Sequence, residues 1–249
     1  MICLFLKKGE AKLTARQIMA RKKGIVGVLW RTILILVLLS VALVLPFRWI
    51  NPPVTMVMLE RNWQQRGTDY HINKQWLSWR EIPRHAALAA VVSEDQNFPN
   101  HYGFDIKAIQ KAFAERERRG SLRGASTISQ QVARNMYLWT GRSWVRKGLE
   151  VWFTGLVELC WPKQRILEVY LNIAEWGDGV FGLGAASRHH FRVPASQLSS
   201  WQSALLASSL PSPLNYKPAS PAPHLIARAN WNLSQQRKLG GSTWLAPLE

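Results

Sequence analysis

Cysteine, acidic residues and most signature motifs of enzymes are scarce or missing in this chain of 249 residues. Its two cysteines, Cys3 and Cys160, are too few for a disulfide framework. The sequence lacks a Walker-type phosphate loop, a strand-linked G-x-G-x-x-G, an H-E-x-x-H motif and paired Cys/His spacings, which argues against nucleotide-binding and zinc enzymes. Neither S-x-x-K nor K-T-G occurs, so a serine acyl-transferase is also disfavoured. Because no sustained period-two alternation is present, we expect a mostly α chain.

The scarcity of acids leaves a net charge of +17, which points to nucleic acid or to an anionic surface as a partner. The distribution of charge favours the surface, because residues 1–24 set a dense group of cations against the single acid Glu10. These cations are Lys7, Lys8, Lys12, Arg16, Arg21, Lys22 and Lys23.

Residues 25–45 are apolar apart from Arg31, Thr32 and Ser40. As an α-helix they span roughly 31 Å, which matches the hydrocarbon core of a bilayer. We therefore predict a basic cytoplasmic tail at 1–24, a transmembrane helix at 25–45, and export of everything that follows. The length of the apolar stretch, without a small-x-small site behind it, favours an uncleaved anchor over a signal peptide.

Beyond the anchor we expect a proline-containing connector at 46–61 and one mostly helical domain at 62–249. Start and stop signals, including Pro83 and a capping box at 127–130, predict helices over 83–94, 106–118, 126–137, 144–161, 163–174 and 202–210. In the helix over 144–161, hydropathy predicts a buried face made of Val145, Leu149, Trp152, Phe153, Leu156 and Cys160. The glycines between 177 and 184 predict a flexible, turn-rich loop.

A pair of carboxylates, Glu94 and Asp95, ends the apolar run from Ala86 to Val92. A carboxyl group at that position is partly desolvated, which disfavours its charged form and raises its pKa. Glu94 is therefore a candidate proton acceptor near neutral pH. The alternative is a helix C-terminus that carries acids without any catalytic role.

Polar side chains recur at helical spacing after the capping box: Thr127, Gln130 or Gln131, and Arg134, with Asn135 beside them. Amides and a fork-shaped guanidinium suit hydroxyl-rich and phosphorylated ligands. An ordinary solvated helix face is the competing interpretation.

The run Arg146-Lys147-Gly148-Leu149-Glu150 places Glu150 one helical turn from two cations. These cations favour the ionised form of Glu150, in contrast to the expectation for Glu94. Two carboxylates in different environments are typical of divided acid and base roles. Arg142, just upstream, adds a further cation for a diphosphate. An ordinary salt bridge on a helix surface is the alternative.

Together these segments resemble peptidoglycan glycosyltransferase family 51, and most closely its monofunctional biosynthetic peptidoglycan transglycosylases. The resemblance covers roughly 82–218. It rests on EDQNFPNHYGFD at 94–105, GASTISQQVARN at 124–135, RKGLE at 146–150, ILEVYLN at 166–172 with the glycine loop after it, and ALLA and LPSP between 204 and 213. Ser129 and Arg134 stand where the family often has Thr and Lys, and both keep the hydroxyl or the positive charge.

The resemblance implies a lysozyme-like helical domain with a small lobe at the membrane surface. It implies polymerisation of lipid II into β-1,4-linked glycan strands with release of undecaprenyl diphosphate. Glu94 would act as the general base of an inverting displacement, and Glu150 would be the second catalytic acid, ordering the donor site. The predicted substrate-binding residues are Asp95, Phe98, His101, Ser126, Gln130, Gln131, Arg134, Asn135, Arg142, Arg146 and Lys147.

We predict no tightly bound cofactor and no protein metal site. A divalent cation, Mg²⁺ or Mn²⁺, can accompany the substrate diphosphate. The expected partners are lipid II, the lipid-linked glycan strand, the membrane, and proteins of cell-wall synthesis or division, with no nucleic acid. The expected location is the bacterial inner membrane with a periplasmic catalytic domain. An apolar stripe (Phe104, Ile106, Ile109 and Phe113) either rests on lipid headgroups beside Arg116, Arg118, Arg119 and Arg123 or is ordinary core.

Two other functions remain open at this point. A glycan-cleaving enzyme would share an α-rich fold and a Glu at the end of a buried helix, but it would not need the cations around Glu150. A membrane-anchored scaffold without activity would need neither acid. Nucleic-acid binding is a weaker third alternative, because topology and substrate account for the positive charge.

Overall fold

Helices dominate the computed structural model, which describes residues 26–119 and 126–248 and, within this range, leaves out the side chains of 113 and 116–119. Three parts of the sequence predictions lie outside the described residues: the basic tail, Ile25, and the Gly124-Ala125 start of the second motif. The same holds for the side chains of Phe113, Arg116, Arg118, Arg119 and Arg123. The chain divides into two compact units between Val44 and Leu45.

The first unit contains helix α1, which covers 26–44 and continues into a 3₁₀ turn at Leu45–Arg48. The whole stretch Val26–Arg48 is 23 residues long with a mean hydropathy of 2.6, so it is long and apolar enough to cross a bilayer. Most of its side chains are exposed, as expected for a helix that does not pack into a protein core.

The second unit carries nine helices among its described residues, with one small sheet. The helices are α2 (Met56–Gln64), α3 (Arg84–Glu94), α4 (Ile106–Arg119), α5 (Ile128–Tyr137), α6 (Trp144–Cys160), α7 (Lys163–Ile173), α8 (Leu183–Phe191), α9 (Ser200–Ser209) and α10 (Pro223–Lys238). The strands are β1 (Asn73–Lys74), β2 (Glu175–Gly177) and β3 (Val180–Phe181), in the order β1-β3-β2. Strand β3 is parallel to β1 and antiparallel to β2.

Helix α3 is the central helix of this unit. All seven residues from Ala86 to Val92 are buried, so every face of the helix contacts protein. Helices α9 and α10 pack on it, while α5 packs against α6 and α7. Glu94 therefore lies at the end of a helix that is surrounded by protein on every side.

The local signals for α5 are confirmed by the structure. The Thr127 side chain accepts a hydrogen bond from the Gln130 N–H, and the Gln130 side chain accepts one from the Thr127 N–H at 3.0 Å. This reciprocal capping box satisfies two backbone donors that the first turn of a helix leaves free. It fixes where α5 begins and therefore which residues of α5 face α3.

Two stretches differ from their sequence-based descriptions. Residues 46–61 were expected to form a connector, but they contain most of α2, whose N-terminus is capped by the buried Thr55, and they belong to the second unit. The glycines at 177–184 form β2, β3 and the start of α8 instead of a flexible loop. At Gly182, with φ +86°, a Cβ atom would lie 2.9 Å from the Asn172 carbonyl oxygen, so the close approach of α7 requires glycine.

The predicted inward face of α6 is wrong for half of its members. Val145, Leu149 and Trp152 are 72%, 37% and 43% exposed. Leu156 and Cys160 are buried as expected, but together with Glu150, Thr154 and Val157. The hydroxyl of Thr154 donates to the Glu150 carbonyl at 2.6 Å, which allows these polar side chains to face the protein. In the apolar stripe of α4, Ile106 is exposed and Ile109 is half-buried.

Candidate active site

Glu94 is the last residue of α3, and its carboxylate is half-buried. Burial raises its pKa, because a partly desolvated carboxylate is less stable than the neutral acid. A hydrogen bond from Gln131 Nε2 to Glu94 Oε2 at 2.6 Å opposes that rise, as do the positive charges of Arg228 and Arg134. The result is a carboxyl group that holds a proton more tightly than usual, which is what a general base requires.

Gln131 is positioned by its place on α5 and by a second polar contact. Its Oε1 atom accepts a long hydrogen bond of 3.4 Å from the buried hydroxyl of Tyr170 on α7. Burial and the nearby charge of Glu94 keep the pKa of Tyr170 well above its ordinary value, so this hydroxyl stays protonated and donates. The amide of Gln131 is therefore oriented with its nitrogen toward Glu94.

A cavity of about 340 Å³ opens beside Glu94. It is lined by the C-terminal end of α3, by α4 and by the start of α5. The lining residues are Glu94, Asp95, Gln96, Asn97, Asp105, Lys107, Ala108, Lys111, Ser126 and Thr127. Lys107 and Lys111 are one helical turn apart on α4, so the cavity combines the candidate base with two cations.

Three predicted substrate-binding residues contact other parts of the protein. Asp95 is buried, receives the Ile128 N–H at 3.0 Å and lies 2.9 Å from Nε2 of the buried His101. Phe98 is fully buried, and the ammonium of Lys163 lies 4.3 Å from the centre of its ring. Asp95, the residue after Glu94, thus links the end of α3 to the N-terminus of α5. His101 contacts Asp95, and the ring of Phe98 packs against His101.

Gln130 and Gln131, which were predicted as alternatives, make different contacts. Gln130 is buried and its side chain closes the capping box of α5. Gln131 is the one that reaches Glu94. Arg134, one turn further along α5, donates from Nε to Asn135 Oδ1 at 3.3 Å and acts on Glu94 through its charge.

Glu150 belongs to a second cluster, on α6. Its buried carboxylate receives Arg146 Nη1 at 2.7 Å and Lys147 Nζ at 2.5 Å. The side chain of Lys147 is 42% exposed, so this ammonium can also reach a bound ligand. Arg142 is exposed in the segment between α5 and α6.

Helix α5 separates and connects the two clusters. Gln131 faces Glu94 on α3, whereas the Ser129 hydroxyl donates to Glu158 on α6. Two residues apart on a helix means about 200° of rotation, so Gln131 and Ser129 point to different sides of α5, the first toward Glu94 and the second toward α6. The two acids have different neighbours, since an amide contacts Glu94 and two cations contact Glu150. Tyr170, Lys107, Lys111 and Arg228 were missed because only tertiary packing brings them near Glu94.

Comparison with known proteins gives a consistent result. A family model described as transglycosylase matches residues 61–237. A biosynthetic peptidoglycan transglycosylase of Stutzerimonas stutzeri (strain A1501) is 52% identical over 218 residues, which cover 86% of this chain and 90% of the relative. The protein of the same description from Pseudomonas aeruginosa is 53% identical over 213 residues (84% and 91%), and that from Pseudomonas putida (strain F1) is 51% identical over 212 residues (84% and 90%).

Proposed function

The chain belongs to the transglycosylase family, and on that premise we propose how Glu94 and the cations around Glu150 catalyse the extension of a glycan strand. It is a peptidoglycan glycosyltransferase with a lysozyme-like helical domain, and it polymerises glycan strands. Its substrates are lipid II and the growing lipid-linked strand. The observation that carries the mechanism is the half-buried Glu94 carboxyl, held by Gln131 at the edge of the cavity.

Glu94 acts as the general base. Its carboxylate takes the proton from the 4-hydroxyl of the acceptor sugar as that oxygen attacks the anomeric carbon of the donor. The diphosphate leaves from the opposite face of the sugar, so one displacement inverts the anomeric centre and gives a β-1,4 linkage. The raised pKa of Glu94, which follows from its burial, makes its carboxylate a better proton acceptor than an ordinary glutamate.

The cations near α5 and α6 stabilise the departing undecaprenyl diphosphate. Arg134, Arg142 and Lys147 supply positive charge where negative charge develops. Such electrostatic stabilisation is usually the largest single contribution to the rate enhancement of an enzyme. Glu150 holds Arg146 and Lys147 in place and therefore acts by ordering the donor site. Ser126 and Asn135 remain predicted substrate contacts.

The prediction about cofactors stays a prediction: no tightly bound group, with Mg²⁺ or Mn²⁺ arriving on the substrate diphosphate. The described residues contain no group of three or more His, Cys, Asp or Glu side chains suited to hold a metal ion. The diphosphate oxygens are hard ligands of the kind that these cations prefer.

We also propose the location. The apolar helix at Val26–Arg48 is consistent with a single-pass anchor. With a cytoplasmic N-terminus in the inner membrane, the catalytic domain is periplasmic, where lipid II is consumed. Confinement to the bilayer raises the effective concentration of a lipid-linked substrate around the enzyme. Proteins of cell-wall synthesis or division are proposed partners.

The test is product sizing with detergent-solubilised protein and purified lipid II. The wild type should lengthen strands and release no fragments from mature wall. Glu94→Gln should lower the polymerisation rate by about 10²- to 10⁴-fold, the usual contribution of a positioned base, without loss of fold. Glu81→Gln, at an exposed acid on the 3₁₀ helix Trp79–Glu81, is the matched control. Substantial polymerisation by Glu94→Gln would refute the assignment.

A further inference from the structure

The segment that carries Arg142 is tied to a helix outside the recognised motifs. Thr140, in the turn between α5 and α6, donates its N–H to Glu60 Oε2 at 2.7 Å and its hydroxyl to Glu60 Oε1 at 2.6 Å. Glu60 lies on α2, one residue before the segment that the family model matches. Both carboxylate oxygens of Glu60 thus accept hydrogen bonds from Thr140, which lies two positions before Arg142.

This contact is well suited to fix a turn. A carboxylate that receives a backbone N–H and a hydroxyl from the same residue restricts both the backbone and the side-chain rotamer of that residue. Gln64, one turn further along α2, donates to Glu60 Oε1 at 3.1 Å and so orients the carboxylate. Helix α2 itself is held by Thr55 at its N-terminus and by Val57 and Met58, which are buried against Phe181.

The turn is also held at its two ends, by the buried Leu138 and by Ser143, whose hydroxyl caps α6 by accepting the Arg146 N–H at 3.1 Å. Gly141 and Arg142 are both exposed, and the exposed Trp139 is the nearest group to Gly141, at 3.1 Å from the position of a Cβ atom. An exposed turn of this kind samples several conformations unless its backbone is held from outside. Between these two ends, the Glu60 contact at Thr140 is the restraint on the side of Arg142 that faces α5, and the placement of Arg142 depends in part on it.

We propose that Glu60 is a positioning residue for the donor site: its carboxylate fixes Thr140 and thereby presets Arg142 for the substrate diphosphate. This inference rests on the proposed role of Arg142 in donor binding. Preorganisation of a binding group lowers the entropy that substrate binding must otherwise offset, so its loss appears mainly in KM.

The experiment is a double-mutant cycle on the full-length protein with lipid II as substrate. Glu60→Ala should raise KM about fivefold, as expected for losing about 1 kcal/mol of hydrogen bonding, with kcat and the pH profile unchanged. In an Arg142→Ala background the same substitution should have almost no further effect, because there is no guanidinium left to position. Hydrogen–deuterium exchange at the Thr140 amide should become faster in Glu60→Ala.

Two further variants sharpen the test. Glu60→Gln keeps one carbonyl acceptor and should give an intermediate KM, and Gln64→Ala, which loses a bond that orients the carboxylate but keeps both Thr140 bonds, should raise KM by a smaller factor than Glu60→Ala. If Arg142→Ala raises KM but the effects of Glu60→Ala and Arg142→Ala are simply additive, the positioning role is refuted while the donor site stands. If Arg142→Ala leaves KM unchanged, the assignment of Arg142 fails and the inference fails with it.

Discussion

Replacing Gln131 with leucine should move the acid limb of the pH–activity profile to higher pH. Gln131 Nε2 donates to Glu94 Oε2 at 2.6 Å, and this bond favours the charged form of the carboxyl. Burial already raises the pKa of Glu94, with the Gln131 bond and the charges of Arg228 and Arg134 opposing it. Removing the amide leaves burial less opposed, so the pKa rises further.

The size of this shift follows from the bond that is lost. A hydrogen bond to a charged group contributes about 1.5–3 kcal/mol, and water will replace part of it at a half-buried carboxylate. Taking the lower value, and about 1.4 kcal/mol per pKa unit, the acid limb of kcat/KM should move upward by about one pH unit. Glu94 must be ionised to accept a proton, so activity at a fixed acidic pH should fall about tenfold.

The sign of the stability effect separates this titration from acid unfolding. Because the folded-state pKa of Glu94 is raised, its contribution to stability is fully present below the unfolded-state pKa and is lost as pH rises through the folded-state value. Lowering the pH through the acid limb therefore protonates Glu94 without weakening the fold through this residue. Thermal unfolding measured alongside activity should show no loss of folded protein across the limb.

The assay is kcat/KM for lipid II polymerisation between about pH 4.5 and 8, with circular dichroism at each pH. Gln96→Leu is the matched control, because Gln96 lines the same cavity but donates to the Val92 carbonyl at 3.3 Å. Its acid limb should coincide with that of the wild type. A limb that stays in place in Gln131→Leu, or that moves equally in Gln96→Leu, would contradict the argument.

Two further substitutions test the supporting contacts. Glu150→Gln should destabilise the fold by about 3 kcal/mol, because it leaves Arg146, whose side chain is 12% exposed, without its carboxylate partner. It should also weaken donor binding. Chemical denaturation measures the first effect and KM the second, and unchanged stability would argue against a buried pair. Asp95→Asn should cost about 2 kcal/mol, since it replaces the charged acceptor that the Ile128 N–H and His101 share by a neutral amide. A variant with the wild-type denaturant midpoint and rate would remove Asp95 from the support of α5.

Local signals in the sequence predicted the elements that carry the chemistry. Helix α3 was recognisable from its apolar run, and Glu94 from its place at the end of that run. The capping box also distinguishes the two adjacent glutamines. A box needs the residue three positions after the cap, which is Gln130, and this leaves Gln131 free for other contacts. The assignment of the two glutamines was therefore within reach of the sequence alone.

Other features depended on packing that no local signal describes. The buried face of α6 was predicted from hydropathy, which cannot distinguish an apolar face in contact with protein from an exposed one. On α6 the apolar residues Trp144 and Leu159 are 93% and 80% exposed. Glu60 was assigned to a connector, and its contact with Thr140 joins residues 80 positions apart. Tyr170 reaches Gln131 across 39 positions. Pairings at such separations need the assembled fold.

Helix α5 links Glu94, the proposed base, to the cation cluster around Glu150. Its N-terminus is bound by Asp95, next to Glu94, and Gln131 in its first turns holds the Glu94 carboxylate. Its opposite face is joined to α6 through Ser129 and Glu158, and α6 carries the Glu150 cluster. In the displacement that we propose, attack and departure occur on opposite sides of one anomeric carbon, and a misplacement of about 1 Å in either group can cost 10²-fold in rate. We therefore propose that α5, as a single helix joined to both clusters, keeps the proposed base and the proposed diphosphate site in register.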